Sequence, residues 1–325
     1  MPPHGAVGPR VAGPEAFLTS GTNGTWTTDG AGILYTDSCL TIPPVPFGSI
    51  HGMAMQPATG GSATWVRCEN RAPLIFSRDS DELFFTPALN PKGKLLYIEA
   101  VGYNVNAPIP CLCLPFPNGW HADLWTDDSG FAPGTRRRLM TLYRDHLGVV
   151  TDTLAVNWLS DVTWSGDNTF IALAGNLHPP IVLNSFGVFR GIIAGTASIS
   201  LVDGTSGARL FSLARAGATI VFVNDSLTIR EISSTGGAVS VVAKIPVGDE
   251  RYIRDLSCVA DRCLVITSDG ARPPQTFWSV TLTTGTIAIL RIDDRGSTRA
   301  RLSPDGTRVL VTAPSGVYLY SDLRP

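Results

Sequence analysis

Apolar residues in this chain come in short bursts closed off by turn signals, not at the 3.6-residue spacing of an amphipathic helix. The clearest case lies near the C-terminus, where Ser303-Pro304-Asp305-Gly306 precedes the run RVLVTA. Pro presets φ at the first corner of such a turn and Gly accepts the conformation that other residues resist. SGVYLYSDL follows, and its alternation of Val317 and Leu319 with Tyr318 and Tyr320 predicts a second, half-buried strand. The same unit recurs in degenerate form: TWTTDGAGILYTDS around Gly30, TPALNPKGKLLYIEA around Gly93, DVTWSGDNTFIALAG around Gly166, SLARAGATIVFVNDS around Gly217 and DLSCVADRCLVITSD around Asp261. Six copies of a short strand, a tight turn and a strongly apolar strand predict a repeat architecture.

A third and usually a fourth strand follow each apolar run, as in HGMAMQPATGGSATWVRCE, LTIREISSTGGAVSVVAKI and TFWSVTLTTGTIAILRI. One four-stranded antiparallel sheet cannot cover both of its faces alone, but radially packed neighbours cover them for each other. The fold class predicted is all-β: a six-bladed β-propeller of four-stranded antiparallel blades, spanning residues 13–325 as a single domain after a flexible segment 1–12. The last unit holds only three strands of its own. GPEAFLTS, from Gly13 to Ser20, is expected to supply the fourth, so that the start of the chain completes its end.

The pattern of a Ser-Pro-Asp-Gly turn, an apolar strand, a third strand, Thr-Gly and a fourth strand resembles the TolB-like six-bladed propellers, also called WD40-like or PD40 repeats. RLSPDGTRVLVTAPSGVYLYSDL matches best and TWTTDGAGILYTDS next, while the middle blades match in outline. No counterpart to the N-terminal α/β domain of TolB itself is expected from these residues, which departs from that protein's pattern. The resemblance implies a scaffold, because the repeat motif consists of structural turns and carries no catalytic group.

Successive turns stand 63, 73, 51, 44 and 45 residues apart, so the first three blades carry the surplus. It falls mainly between the second and third strands, in CLTIPPVPFGS, YNVNAPIPCLCLPFPNGW and NLHPPIVLNSFG. These stretches are Pro-rich and apolar for loops. Proline lowers the entropy lost on binding, and exposed apolar and aromatic groups form interface cores. Phe47, Ile109, Leu112, Leu114, Phe116, Trp120, Ile181 and Phe186 are therefore the candidate binding residues, for a protein segment or an extended polymer. The alternative is that the insertions fold back on one another, with Cys111 and Cys113 in that local packing.

With 44% hydrophobic and 16% charged residues the chain has ample material for a core. A net charge of −2 gives no electrostatic footprint for nucleic acid, and the one basic run, Arg136-Arg137-Arg138, is expected to be a solvated strand edge. No apolar window reaches membrane-helix length, and MPPHGAVGPRVAG lacks the apolar stretch of a signal peptide. A monomer in a bacterial periplasmic or extracellular setting, its leader trimmed away, is the expectation. Six cysteines suit an oxidising compartment, and Cys258 and Cys263, at the two ends of a four-residue connection, are placed to pair across a hairpin.

The sequence contains no G-x-S-x-G elbow, no H-E-x-x-H and no phosphate-binding glycine pattern. No cofactor is expected. The competing reading is a metal-dependent propeller hydrolase or lyase, lactonase-like or glycan-active, with calcium in a central channel held by residues such as Asp81, Asp161 and Asp255. His51, His121 and His178 flank the insertions and define a second candidate metal or acid–base group.

Overall fold

The computed structural model describes residues 15–41, 49–68, 79–103, 119–127, 135–146, 149–150, 158–178, 182–194, 196–224, 227–246, 252–269 and 274–321. They form six antiparallel sheets, the blades of a six-bladed β-propeller. Blade 1 contains β2 (Thr22–Trp26), β3 (Gly32–Thr41), β4 (Ser49–Pro57) and β5 (Thr64–Arg67). Blade 2 contains β6 (Asp79–Leu89), β7 (Leu95–Tyr103), β8 (Gly119–Asp127), β9 (Arg137–His146) and the two-residue β10 (Val149–Val150). Blade 3 is built from β11 (Trp158–Trp164), β12 (Thr169–His178), β13 (Val182–Ala194) and β14 (Thr196–Leu201).

Blade 4 follows as β15 (Leu210–Ala214), β16 (Thr219–Val223), β17 (Thr228–Ser233) and β18 (Ser240–Lys244). Blade 5 is β19 (Tyr252–Val259), β20 (Arg262–Ser268), β21 (Gln275–Thr281) and β22 (Ile287–Asp293). Blade 6 joins β23 (Arg299–Leu302), β24 (Arg308–Ala313) and β25 (Gly316–Ser321) to β1 (Glu15–Thr19), the first strand of the chain. Glu15 pairs with Tyr320 and Phe17 with Tyr318, so Glu15–Thr19, from the N-terminal segment expected to do so, completes the C-terminal blade. Among the described residues, the fifth strand of blade 2 is the one departure from four strands per sheet. Segment 1–12 lies outside the described residues.

The chain divides into two compact units, residues 23–209 with blades 1–3, and residues 1–22 with 210–325, which hold blades 4–6. In the first unit, Leu34 and Met53 of blade 1 pack on Leu95 and Tyr97 of blade 2. The opposite face of blade 2, with Leu96, Ile98 and Leu124, packs on Val162, Trp164 and Phe170 of blade 3. Trp164 also donates its indole N–H to the Ala88 carbonyl at 3.1 Å. In the second unit, Val221 and Ile229 of blade 4 meet Leu256, Val265 and Trp278 of blade 5, and Leu264, Ile266 and Phe277 meet Val309, Val311 and Tyr320 of blade 6. The described residues of the second strands are buried at consecutive positions, on both faces, which explains why these strands read as unbroken apolar runs and not as alternating ones.

The turns behave as their residues predict. The Ser303 hydroxyl donates to the Asp305 carboxylate, which also accepts the Thr307 N–H at 3.0 Å. Gly306 adopts φ +71°. Asp29 repeats the arrangement, accepting from the Thr27 hydroxyl at 2.6 Å and the Ala31 N–H at 2.9 Å. Cys258 and Cys263 are direct register partners joined by a disulfide, with Cα atoms 4.0 Å apart. Cys68 is disulfide-bonded as well.

Candidate functional site

The surplus residues of blades 1–3 lengthen the hairpin between the second and third strands. In blade 1 the ladder runs from Gly32↔Pro57 to Thr41↔Ser49, with a bulge between Ser38 and Leu40. In blade 2 it runs unbroken from Leu95↔Asp127 to Tyr103↔Gly119. In blade 3 it runs from Thr169↔Ile192 to His178↔Val182, with an irregularity between Ala174 and Asn176. The matching hairpin in blade 4 is a short ladder from Thr219↔Ser233 to Phe222↔Arg230. Much of what reads as inserted loop is therefore β-strand, and only 42–48, 104–118 and 179–181 remain between the paired strands.

Phe47, Ile109, Leu112, Leu114, Phe116 and Ile181 fall in those three stretches, outside the described residues. Trp120 is a strand residue of β8, in register with Gly102 and Asp145. Phe186 is also a strand residue, half-buried in β13, where its carbonyl accepts the Gly207 N–H at 2.6 Å. His51, His121 and His178 lie on β4, β8 and β12 of three different sheets, opposite Ser38, Val101 and Val182.

The face of blade 2 turned towards blade 1 carries a charged network. Three cross-strand pairs succeed one another on it: Leu95↔Asp127, Tyr97↔Trp125 and Glu99↔Asp123. Asp127 is fully buried, and it accepts from Arg67 of blade 1 and from the Thr135 hydroxyl. Glu99 and Asp123 are each only 3% exposed. Arg136 bonds Glu99 with 13% of its own side chain exposed, and its guanidinium lies 3.6 Å over the Trp125 ring and 5.8 Å from the centre of Tyr97. Arg138 stands 3.8 Å from Asp123 and is more than half exposed, so that contact contributes little. The solvated-edge expectation therefore fails for Arg136. The run enters β9 at a seam where its first guanidinium has carboxylates to meet, and only Arg137 and Arg138 turn to solvent. Reading the sequence missed this network, because its acids lie far from its arginines along the chain. The available signal was the spacing of Asp123 and Asp127, which puts both on one face of a strand.

Asp81, Asp161 and Asp255 share a local feature, each directly following a register shift in the first strand of its blade. The Asp255 carboxylate is engaged, accepting the Ala300 N–H at 2.6 Å and Arg301 Nη1 at 2.7 Å. Two residues on, the Ser257 hydroxyl accepts the Leu302 N–H at 3.0 Å. These side chains fasten β19 to β23. Asp161 accepts the N–H of its neighbour Val162 at 3.0 Å. Among the described residues, no group of three or more His, Cys, Asp or Glu is placed to hold a metal ion, and no helix is long and apolar enough to cross a membrane.

No family model and no curated protein matches the sequence. Solved structures do resemble it. TolB from Acinetobacter baumannii aligns over 91% of this chain at 13% identity and a TM-score of 0.55, and the chain spans 65% of that protein's length. An oligogalacturonate lyase in complex with manganese aligns over 93% of this chain and 77% of its own, at 13% identity and TM-score 0.55. The β-propeller domain of Cps50 (Swd1) from Myceliophteria thermophila aligns over 95% of this chain and 99% of its own, at 9% identity and TM-score 0.54. TolB and a lyase thus stand side by side among the neighbours, and at such identities what they share with this chain is the fold. That fold is the six-bladed β-propeller, with TolB among its structural neighbours.

Proposed function

We propose that this protein is a non-enzymatic binding scaffold that recognises a protein segment or an extended polymer through the hairpin ends of blades 1–3. The observation that carries the reading is the lengthening of the second-to-third-strand hairpins in those three consecutive blades. Because their sheets repeat one antiparallel strand order, the three hairpins leave their blades at equivalent ends, and blade 2 packs between blades 1 and 3. The tips carry Pro-rich apolar sequence: Phe47 in the first, Ile109, Leu112, Leu114 and Phe116 in the second, and Ile181 in the third. Proline in such sequence lowers the entropy lost on binding. The disulfides at Cys258–Cys263 and Cys68 support an oxidising, periplasmic or extracellular setting.

The test compares the intact protein with two trimmed forms in capture experiments from an extract of the source organism. One replaces 104–118 with a short Gly-Ser turn, and the other does the same to the turn at 234–239 in blade 4. The proposal expects a specific ligand to be kept by the intact protein and the blade 4 form and lost by the first. Equal capture by all three forms would overturn it.

A further inference from the structure

We propose that Arg136 is the positioning residue of the blade 2 hairpin, a clamp that holds β7 and β8 together where they run out towards their tip. Its bearing on recognition rests on the reading above, whereas the clamp itself is measured without any partner. Glu99 and Asp123 face each other directly across the β7–β8 ladder, and both are buried. Like charges opposed in this way destabilise a strand pair, and burial sharpens the repulsion. Four paired positions, Ala100↔Ala122 to Tyr103↔Gly119, lie between this row and the tip. The acid pair is therefore the weak point of the stem unless a cation holds it.

Arg136 supplies such a cation to Glu99 from the segment leading into β9, while Asp123 has contacts of its own, the exposed Arg138 at 3.8 Å among them. It bonds Glu99 on β7 and covers the rings of Trp125 on β8 and Tyr97 on β7, so a single side chain spans the stem. Glu99 Oε1 has no hydrogen-bond partner among the described residues, which leaves Arg136 as the source of its compensation there. A planar guanidinium bonds a carboxylate in its plane while stacking on an indole with its face. Lysine, a strongly hydrated point charge, does not meet both demands. The structure thus assigns Arg136 a geometric role that charge alone does not fill.

Hydrogen exchange read by mass spectrometry on wild type, Arg136→Lys, Glu99→Gln and the exposed control Arg137→Ala tests the assignment. Arg136→Lys is expected to speed exchange of the amides of 99–103 and 119–123 roughly tenfold or more, leaving blades 4–6 and the Arg137→Ala protein unchanged. Glu99→Gln relieves the acid–acid repulsion as it removes the ion pair, so its exchange should rise less than that of Arg136→Lys. Wild-type exchange in Arg136→Lys would overturn the proposal by showing that charge suffices. A rise spread evenly over all six blades would overturn it too, since the residue would then support overall stability and not the stem.

Discussion

Blades 1–3 and blades 4–6 repeat one strand order with different materials. In blades 4–6 the second and third strands are five to seven residues long, and their seams are closed mainly by apolar side chains, with the Asp255–Arg301 pair between blades 5 and 6. In blades 1–3 the corresponding strands reach 9 to 13 residues, and the seam between blades 1 and 2 holds carboxylates and guanidiniums beside its methionines and tyrosine. Short, apolar blades are what a repeat needs in order to fold. Long hairpins over a charged seam are additions that the repeat does not require. A buried ion network contributes modestly to net stability and heavily to which geometry is allowed, which fits a region where strand ends must be held in place.

The contrast is broken most strongly at its charged seam. Asp127→Ala removes the buried carboxylate that Arg67 bonds, and chemical denaturation should show a loss of about 3–5 kcal/mol. The double replacement Arg67→Met/Asp127→Leu should recover most of that loss. If the single variant is neutral, the seam is not the interlock described.

Smaller losses are expected where the second unit is fastened. Gly316 has φ +130°, and a Cβ there would lie 2.2 Å from the Thr19 carbonyl. Gly316→Ala should therefore cost about 1–3 kcal/mol in a thermal melt and deprotect the amides of β25 that pair with β1. The Cys258–Cys263 bridge closes a ring of only a few residues, so replacing both cysteines by serine should cost about 2 kcal/mol under the loop-entropy account. A much larger loss would show that the bridge shapes the native hairpin as well as restricting the unfolded chain.

The smallest effect sharpens the comparison at the turns. The Ser303 hydroxyl, followed by the Thr307 amide, lowers the Asp305 carboxyl to about 2. A native value below the unfolded one stabilises the fold above the unfolded range near 4, and that contribution disappears as pH falls from about 4 to about 2. Asp305 is largely exposed, so the change is slight. Asp305→Asn should flatten the acid limb of a stability–pH profile a little while leaving stability near neutrality almost unchanged.

What the sequence discloses follows from how local each signal is. The turn at Ser303–Gly306 and the run Arg308–Ala313 specify a hairpin within a dozen residues, and Cys258 and Cys263 meet across a two-residue turn. Completion of the last blade by Glu15–Thr19 was also legible, because the repeat count left one strand missing. The long stems were harder to see. VLNSFGVFRGIIA forms a single strand of 13 residues, yet its Asn, Ser and two Gly look like loop. Gly191 there is a packing requirement, since a Cβ would lie 2.0 Å from the buried Phe170 ring. Arg136 was illegible for a different reason. Its partners become neighbours only once β7, β8 and β9 are in register, and one slip of a residue would turn Glu99 to the other face.

The measurement that tests the central claim most directly is a solvent-protection footprint of the protein with its captured ligand, compared with the protein alone. The account predicts protection at the hairpin ends of β3–β4, β7–β8 and β12–β13, with the turns at Asp29, Asp261 and Asp305 unchanged. Protection at those turns, or confined to blades 4–6, would contradict it.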